Sequence, residues 1–333
     1  MDWKRLYYST FGGVRKNLHF PYYVHGFAML AIPRQLKKSQ REQMLRSFDR
    51  LSSEAQENVL RRVNYYCQLE QPVSLPEQAT TIGDHTYRNK RCPSVYFFDS
   101  YEWLRYFPKD LRWMFAPGDV AHTFDTPTIA KSRPIGQPQT SNTTLLNMDK
   151  VRHFMFFRDP MPLQAKKTQV FFRGAITGKP QRAHFFETFY GHPLFDLKDT
   201  SHDSTYPEAQ RQRHETIIYD HLHYRYIMSL QGNDVASNLK WIMNSNSIAV
   251  APRMTIESWF MEGTLKPNEH YIEIQPDFSD IEERIAYYND HTTEAQDILD
   301  NAHAYCRQFQ DEQTEKLVSL MTLDKYFRMT NEA

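Results

Sequence analysis

Gly232 opens a short polar segment, Gly-Asn-Asp-Val-Ala-Ser-Asn-Leu-Lys240, set between two apolar runs, Tyr226–Leu230 and the stretch after Ser247. The pattern predicts a buried strand, a turn pivoting on glycine, an amphipathic helix from about Ala236 and a second strand, which make one βαβ unit. Such a unit leaves a helix N-terminus at the carboxyl end of a strand, where free backbone N–H groups and the positive end of the helix dipole converge. The chemistry this favours is the holding of an anion, such as a pyrophosphate, without a metal ion. Gly232, Asn233, Asp234, Ala236, Ser237, Asn238 and Lys240 are therefore the first candidate ligand-holding residues.

Several other chemistries are excluded. The chain has no G-x-G-x-x-G, Walker A, G-x-S-x-G, H-E-x-x-H or C-x-x-C motif. No two aspartates stand two apart, so the D-x-D pair that holds a divalent ion on a nucleotide-sugar pyrophosphate is missing. A nucleotide diphosphate would have to be neutralised by protein cations and backbone dipoles. His221 and His223 are spaced i, i+2, which does not bring both imidazoles to one helix face, so no metal is expected there. His153 and Arg158 flank the apolar run 154–157, and a histidine beside such a run is ordinarily structural.

Elements must position these groups. Residues 33–70 read as two helices, with a capping box at Ser53-Glu-Ala-Gln56 and Val59, Leu60, Val63 and Cys67 on one face. Apolar runs at Val95–Phe98, Trp113–Phe115, Thr128–Ala130 and Phe154–Phe157 predict strands of a first α/β unit. Residues 136–143 read as a polar loop and 158–168 as a linker. A second α/β block begins at Gln169, includes the βαβ unit and a strand at His270–Pro276, and ends in helices over 279–290, 293–309 and 312–328.

With 333 residues the chain is long for one core, and two domains with a cleft between them are expected. The balance of 40 basic against 40 acidic residues gives no global field toward nucleic acid or an acidic membrane. The patch Lys37, Lys38, Arg41, Arg46 and Arg50 leaves room for peripheral contact with the inner face of a membrane. Three cysteines without metal-ligand spacing fit a reducing compartment, and the absence of a signal-peptide pattern or long apolar run points to a cytoplasmic location.

Five motifs then occur in order: Val170-Phe-Phe-Arg-Gly-Ala175, Tyr224-Arg-Tyr with Gly232-Asn-Asp-Val-Ala-Ser-Asn-Leu-Lys240, Ser245-Asn-Ser-Ile-Ala-Val250, Glu257-Ser-Trp-Phe-Met-Glu-Gly263, and His270-Tyr-Ile272. Over roughly residues 90–310 the chain resembles the CAP10-like glycosyltransferases, family 90, which include protein O-glucosyltransferases, capsule xylosyltransferases and bacterial lipopolysaccharide-modifying enzymes. It looks most like the last branch, where Gly118-Asp-Val and Lys131-Ser-Arg-Pro-Ile135 also fit.

The resemblance implies a GT-B fold: two Rossmann-like α/β domains, at 1–165 and 166–310, with C-terminal helices, 311–333, packing back. It implies a metal-independent, inverting transfer without cofactor, from a nucleotide sugar, with UDP the expected carrier, to a surface glycan or lipid-linked oligosaccharide such as lipopolysaccharide. Arg173 and Gly174 match the Phe-Arg-Gly motif, which makes Arg173 the candidate cation for the donor phosphates. Many relatives carry an arginine where this chain has Asn238; Lys240, Lys131 and Arg133 are the possible replacements. Glu257 is a candidate for the ribose hydroxyls.

An inverting transfer needs one base to take the acceptor hydroxyl's proton. Asp119 follows the apolar run 112–118 at an expected strand end and falls where the glucosyltransferase relatives carry their basic aspartate. Asp125, in an Asx-turn pattern, is its rival. A non-catalytic carbohydrate- or nucleotide-binding protein on the same fold is the alternative, supported by Asn238; phosphoryl transfer is disfavoured because there is no P-loop.

Overall fold

The computed structural model describes residues 19–32, 35–88, 91–212 and 218–331, the side chains of 19 and 35–38 excepted. The chain divides into two compact units. The N-terminal unit runs to Val151 and adds Thr255–Gly263 and the chain from Phe309; the C-terminal unit comprises Arg152–Met254 and Thr264–Gln308. The first crossing thus falls near residue 152, upstream of the 165/166 boundary expected from linker composition.

The N-terminal unit opens with helices α1 (His19–Ala31), α2 (Gln35–Ser47) and α3 (Ser53–Tyr66). The cap of α3 is Ser52, not Ser53: its hydroxyl accepts Ala55 N–H at 3.3 Å. The buried stripe of α3 is Val59, Arg62, Val63 and Tyr66, while Leu60, expected on that stripe, is 43% exposed. Next come β1 (Thr80–Thr81), α4 (Ser94–Leu104), β2 (Arg112–Trp113), β3 (Phe115–Ala116), β4 (Thr128–Ala130), β5 (Ser132–Pro134), β6 (Thr143–Leu145) and the short α5 (Lys150–His153). The run Val95–Phe98, expected as a strand, lies inside α4. Tyr96 through Ser100 are all buried there, and an apolar run buried on every side has no period to separate helix from strand.

In the N-terminal unit β3, β4 and β6 form a parallel sheet. Its core gathers Trp103, Trp113, Ile129, Leu146 and Met148.

The remaining elements are β7 (Lys167–Gly174), α6 (Pro180–Phe189), β8 (Phe195–Asp199), α7 (Ile218–His221), β9 (Tyr224–Met228), α8 (Leu239–Asn244), β10 (Ile248–Pro252), β11 (Ile256–Ser258), β12 (Ile272–Ile274), α9 (Ile281–Asp290), α10 (Thr292–Arg307) and α11 (Glu312–Asn331). Strand β11 pairs antiparallel with β5, which returns 255–263 to the N-terminal unit. Helix α11 does the same, placing Leu320, Leu323, Tyr326 and Phe327 in that unit's core. Phe154–Phe157, expected as a strand, belongs to no strand.

The C-terminal unit is built on a five-stranded sheet in the order β12-β10-β9-β7-β8, with every neighbouring pair parallel. The chain goes outward from β7 to β8, then returns to β9 on the other side of β7 and continues outward. The switch point therefore lies between β7 and β9, and in open parallel sheets ligands bind beyond the carboxyl ends of the strands at that point. Val170, Phe172, Tyr226, Met228, Ile248 and Val250 bury the sheet against Phe185, Phe186 and Ile285. Among the described residues no helix is long and apolar enough to cross a membrane. The side chains of Lys37 and Lys38 lie outside the described residues; Arg41 pairs with Asp324, and Arg46 and Arg50 are exposed.

Candidate active site

At the carboxyl ends of β7 and β9 the two loops are stitched together by one guanidinium. Arg182 donates from Nη1 to the Ala175 carbonyl at 3.0 Å, from Nη2 to Leu230 O at 2.8 Å and from Nε to Gln231 O at 3.1 Å. No carboxylate pairs with it among the described residues, and burial lowers its pKa from the ordinary arginine value. A cation in the first turn of a helix opposes the helix dipole, so its place at the start of α6 needs carbonyls or an anion to justify it. At the end of β8 burial raises the pKa of the Asp199 carboxyl, but bonds from Ser201, Ser204 and the Ile176 N–H hold it below its ordinary value. That fixes the loop after Gly174.

The polar turn meets this arginine at Gly232, where a Cβ would lie 3.2 Å from Arg182 Nη2. A side chain there would need the guanidinium to shift by a few tenths of an ångström; the φ of Gly232 is not in the left-handed region. Asn233 is exposed and accepts the Lys179 ammonium. Asp234 and Ala236 are buried and Ser237 is half-buried. Helix α8 starts at Leu239, three residues later than the pattern suggested, with Asn238 at its N-cap. The Asn238 amide donates to Met228 O at 3.0 Å and accepts from Ser229 Oγ at 3.1 Å. It closes the turn onto β9 rather than presenting its amide to a ligand.

Two expected phosphate cations are engaged elsewhere. Arg173 bonds Asp196 Oδ1 and Gln212 Oε1, each at 2.7 Å, and its guanidinium lies 4.1 Å from the Phe171 ring centroid. Residue 173 alternates with the core-facing Phe172, so it projects onto the other sheet face together with Asp196 of the neighbouring strand. Gly174 sits against the Phe172 ring, 2.7 Å from where its Cβ would be. Lys240 is fully buried with Nζ 5.8 Å from the Phe154 ring. His221 is packed between the Phe171 and Trp241 rings.

In the N-terminal unit Asp119 follows β3. Its Oδ1 receives Lys131 Nζ at 2.5 Å and the Tyr96 hydroxyl at 3.2 Å, and its side chain is 23% exposed. Strand β4 brings Lys131 there, and Ser132 holds the next residue by bonding both Val120 N and O. Lys131, expected at donor phosphates, is thus the partner of the candidate base. Asp125 is exposed in a bend.

Arg133 and Glu257 also depart from expectation. The Arg133 guanidinium is completely buried, bonded to Glu257 Oε1 at 2.7 Å and to the carbonyls of Tyr65, Tyr66 and Thr143. No N–H edge of it is turned to a ligand. Glu257 lies on β11, which belongs to the N-terminal unit and not to the unit of the βαβ block, and its Oε2 accepts the Tyr65 hydroxyl.

The model of glycosyl transferase family 90 matches residues 142–323. The chain is also 39% identical over 308 residues, 92% of its own length and 94% of the relative's, to the O-glucosyltransferase LpsA of Dichelobacter nodosus. The chain belongs to glycosyltransferase family 90.

This family 90 glycosyltransferase needs a place for the departing group of its donor and an acceptor for one proton. Arg182, Gly232 and Asn233 stand together at the carboxyl ends of β7 and β9, and Asp119 is a partly exposed carboxylate. Sequence reasoning missed Arg182, Tyr96 and Tyr65. A signal for Arg182 existed: Lys179-Pro-Gln-Arg182 is a helix start with two cations where acids are favoured. Nothing in the sequence links Tyr96 to Asp119 or Tyr65 to Glu257, because those pairs are made only by the fold.

Proposed function

We propose that the protein is an inverting, metal-independent glucosyltransferase of GT-B type that moves a sugar from UDP to a surface glycan such as lipopolysaccharide. The glucose is suggested by the relative's name; the metal independence by the missing D-x-D pair. The observation that carries the reading is Asp119, held by Lys131 and Tyr96 on one oxygen with its side chain still partly open.

In the proposed reaction Asp119 takes the proton of the acceptor hydroxyl as its oxygen bonds the anomeric carbon. The bond from that carbon to the UDP oxygen breaks on the opposite face, and the electron pair leaves with the β-phosphate. Developing charge on the phosphate is met by Arg182 and by backbone N–H groups of the 229–238 turn, groups already fixed before reaction. Arg182 loses little hydration in doing so, because it is half-buried and already bonded to three carbonyls.

The test is release of UDP from UDP-glucose by the purified protein, without and with a lipopolysaccharide acceptor. Intact UDP-glucose in both cases would remove the catalytic reading and leave a nucleotide- or glycan-binding protein on this fold.

A further inference from the structure

The unit that carries Asp119 contains a cavity of about 470 Å³ used by no step above. The Glu257 carboxylate contributes to its wall, held by Arg133 on one oxygen and Tyr65 on the other. Arg133 has no exposed surface, so its charge balances Glu257 without facing the cavity. The other polar lining groups are the amides of Gln68, Gln137 and Gln139 and the hydroxyls of Thr140 and Ser141.

This lining selects a ligand class. Among the described residues no lysine, arginine or histidine lines the cavity, so phosphates find no cation there. Ile135 is its one aliphatic side chain and Tyr65 its one ring, too little apolar surface for a lipid tail. Amides offer both donors and acceptors, and carboxylate and hydroxyl oxygens have lone pairs to share, which matches a neutral molecule dense in hydroxyl groups. The volume lies within the range of about 300–1,000 Å³ for small-molecule sites.

The walls are prepared for close approach. At Gly263 a Cβ would stand 2.6 Å from Glu257 Oε2 and 2.8 Å from the Tyr65 hydroxyl, so any larger residue would displace both. The rim loop holds Gln139 at φ 62°, a left-handed conformation costly for a non-glycine residue. Bonds from Thr140 Oγ1 to Pro134 O at 3.2 Å and from Asn142 Nδ2 to Phe124 O at 2.8 Å hold that loop in place.

We propose that this cavity binds one neutral pyranose ring of the acceptor glycan, through Glu257, Gln68 and Gln137. The acceptor part of the statement rests on the glycosyl-transfer reading above; the sugar site does not.

Saturation-transfer NMR on the full chain tests it, with the methyl glycosides of D-glucose and D-galactose as probes and UDP as competitor. The expected result is transfer to the ring protons of at least one glycoside, unaffected by UDP. Binding should weaken about tenfold or more in Gln137→Trp and Ser141→Trp, where an indole on an exposed rim position fills the cavity. A UDP-induced heat shift in each variant shows that it is folded. No transfer from either glycoside, undiminished transfer in both variants, or displacement by UDP would each overturn the proposal. Donor hydrolysis on the same preparation keeps the readings apart: hydrolysis without glycoside binding removes this site alone, and glycoside binding without hydrolysis supports the site while removing the catalytic reading.

Discussion

Arg133 and Glu257, 124 positions apart in sequence, meet at 2.7 Å between Nε and Oε1 with side-chain exposures of 0% and 4%. They face each other across the antiparallel pair β5–β11, and Tyr65 and Tyr66 donate or accept around them. Breaking one half of a buried pair leaves an uncompensated charge, at a cost of about 3–5 kcal/mol, whereas replacing both with apolar groups is often neutral. Arg133→Met should therefore destabilise the protein by that amount, and Arg133→Met with Glu257→Leu should regain most of it. Urea unfolding of the three proteins measures this; a double variant no more stable than the single one would mean that the pair itself, rather than the orphaned charge, matters.

Asp119→Asn should keep UDP binding and lower turnover by about 10²–10⁴, the range for loss of a general base. Asp125→Asn, at an exposed bend, should turn over normally. Steady-state kinetics with calorimetric UDP titration separates the two, and an inactive Asp125→Asn beside an active Asp119→Asn would exchange their roles.

Arg182→Ala should weaken UDP binding by about 1.5–3 kcal/mol, the scale of a hydrogen bond to a charged group. Arg173→Ala should leave UDP affinity unchanged and instead reduce stability, since its partners are Asp196, Gln212 and Phe171. Calorimetry on both variants decides; UDP affinity lost in Arg173→Ala and kept in Arg182→Ala would return the phosphate role to Arg173.

Asp99 in α4 is 1% exposed, accepts the Tyr22 hydroxyl at 2.9 Å and lies 3.6 Å from Lys150 Nζ. Burial, opposed by Lys150, pushes its pKa from 3.8 up to about 6. The fold favours the protonated form, so the stability this group confers is fully present below about pH 4 and is lost as pH rises through about 6, up to about 3 kcal/mol. Asp99→Asn should remove that fall. Thermal unfolding of both proteins from pH 4 to 7 reads the difference, and parallel profiles would contradict the titration of Asp99.

Activity should survive excess EDTA, because Arg182 and the turn after β9 are proposed to neutralise the leaving pyrophosphate in place of a divalent ion. Loss of UDP release on chelation, restored by manganese or magnesium, would overturn metal independence.

The α/β class, the family and the strands around Gly232 were legible in the chain itself. Continuous apolar runs at Val170–Phe172 and Ile248–Ala251 are what a parallel sheet covered on both faces demands, and both became strands of that sheet. Glycine at 232 marked the turn after β9, but the neighbour that a Cβ there would meet, Arg182, lies 50 positions away and was not legible. The place of Asp119 shortly after β3 was legible as well, since it follows an apolar run; its role stays a proposal.

Only the tertiary structure decided which charges are available for chemistry. Arg133, Arg173, Lys131 and Lys240 look alike in sequence, yet the fold gives one a buried glutamate, one Asp196, one the candidate base and one a fully buried place near the Phe154 ring. A cation's partner is set by contacts between residues tens to hundreds of positions apart, which local periodicity does not encode. The same holds for Glu257: strand β11 is three residues long, too short to leave a pattern, and its pairing with β5 moved the residue to the N-terminal unit.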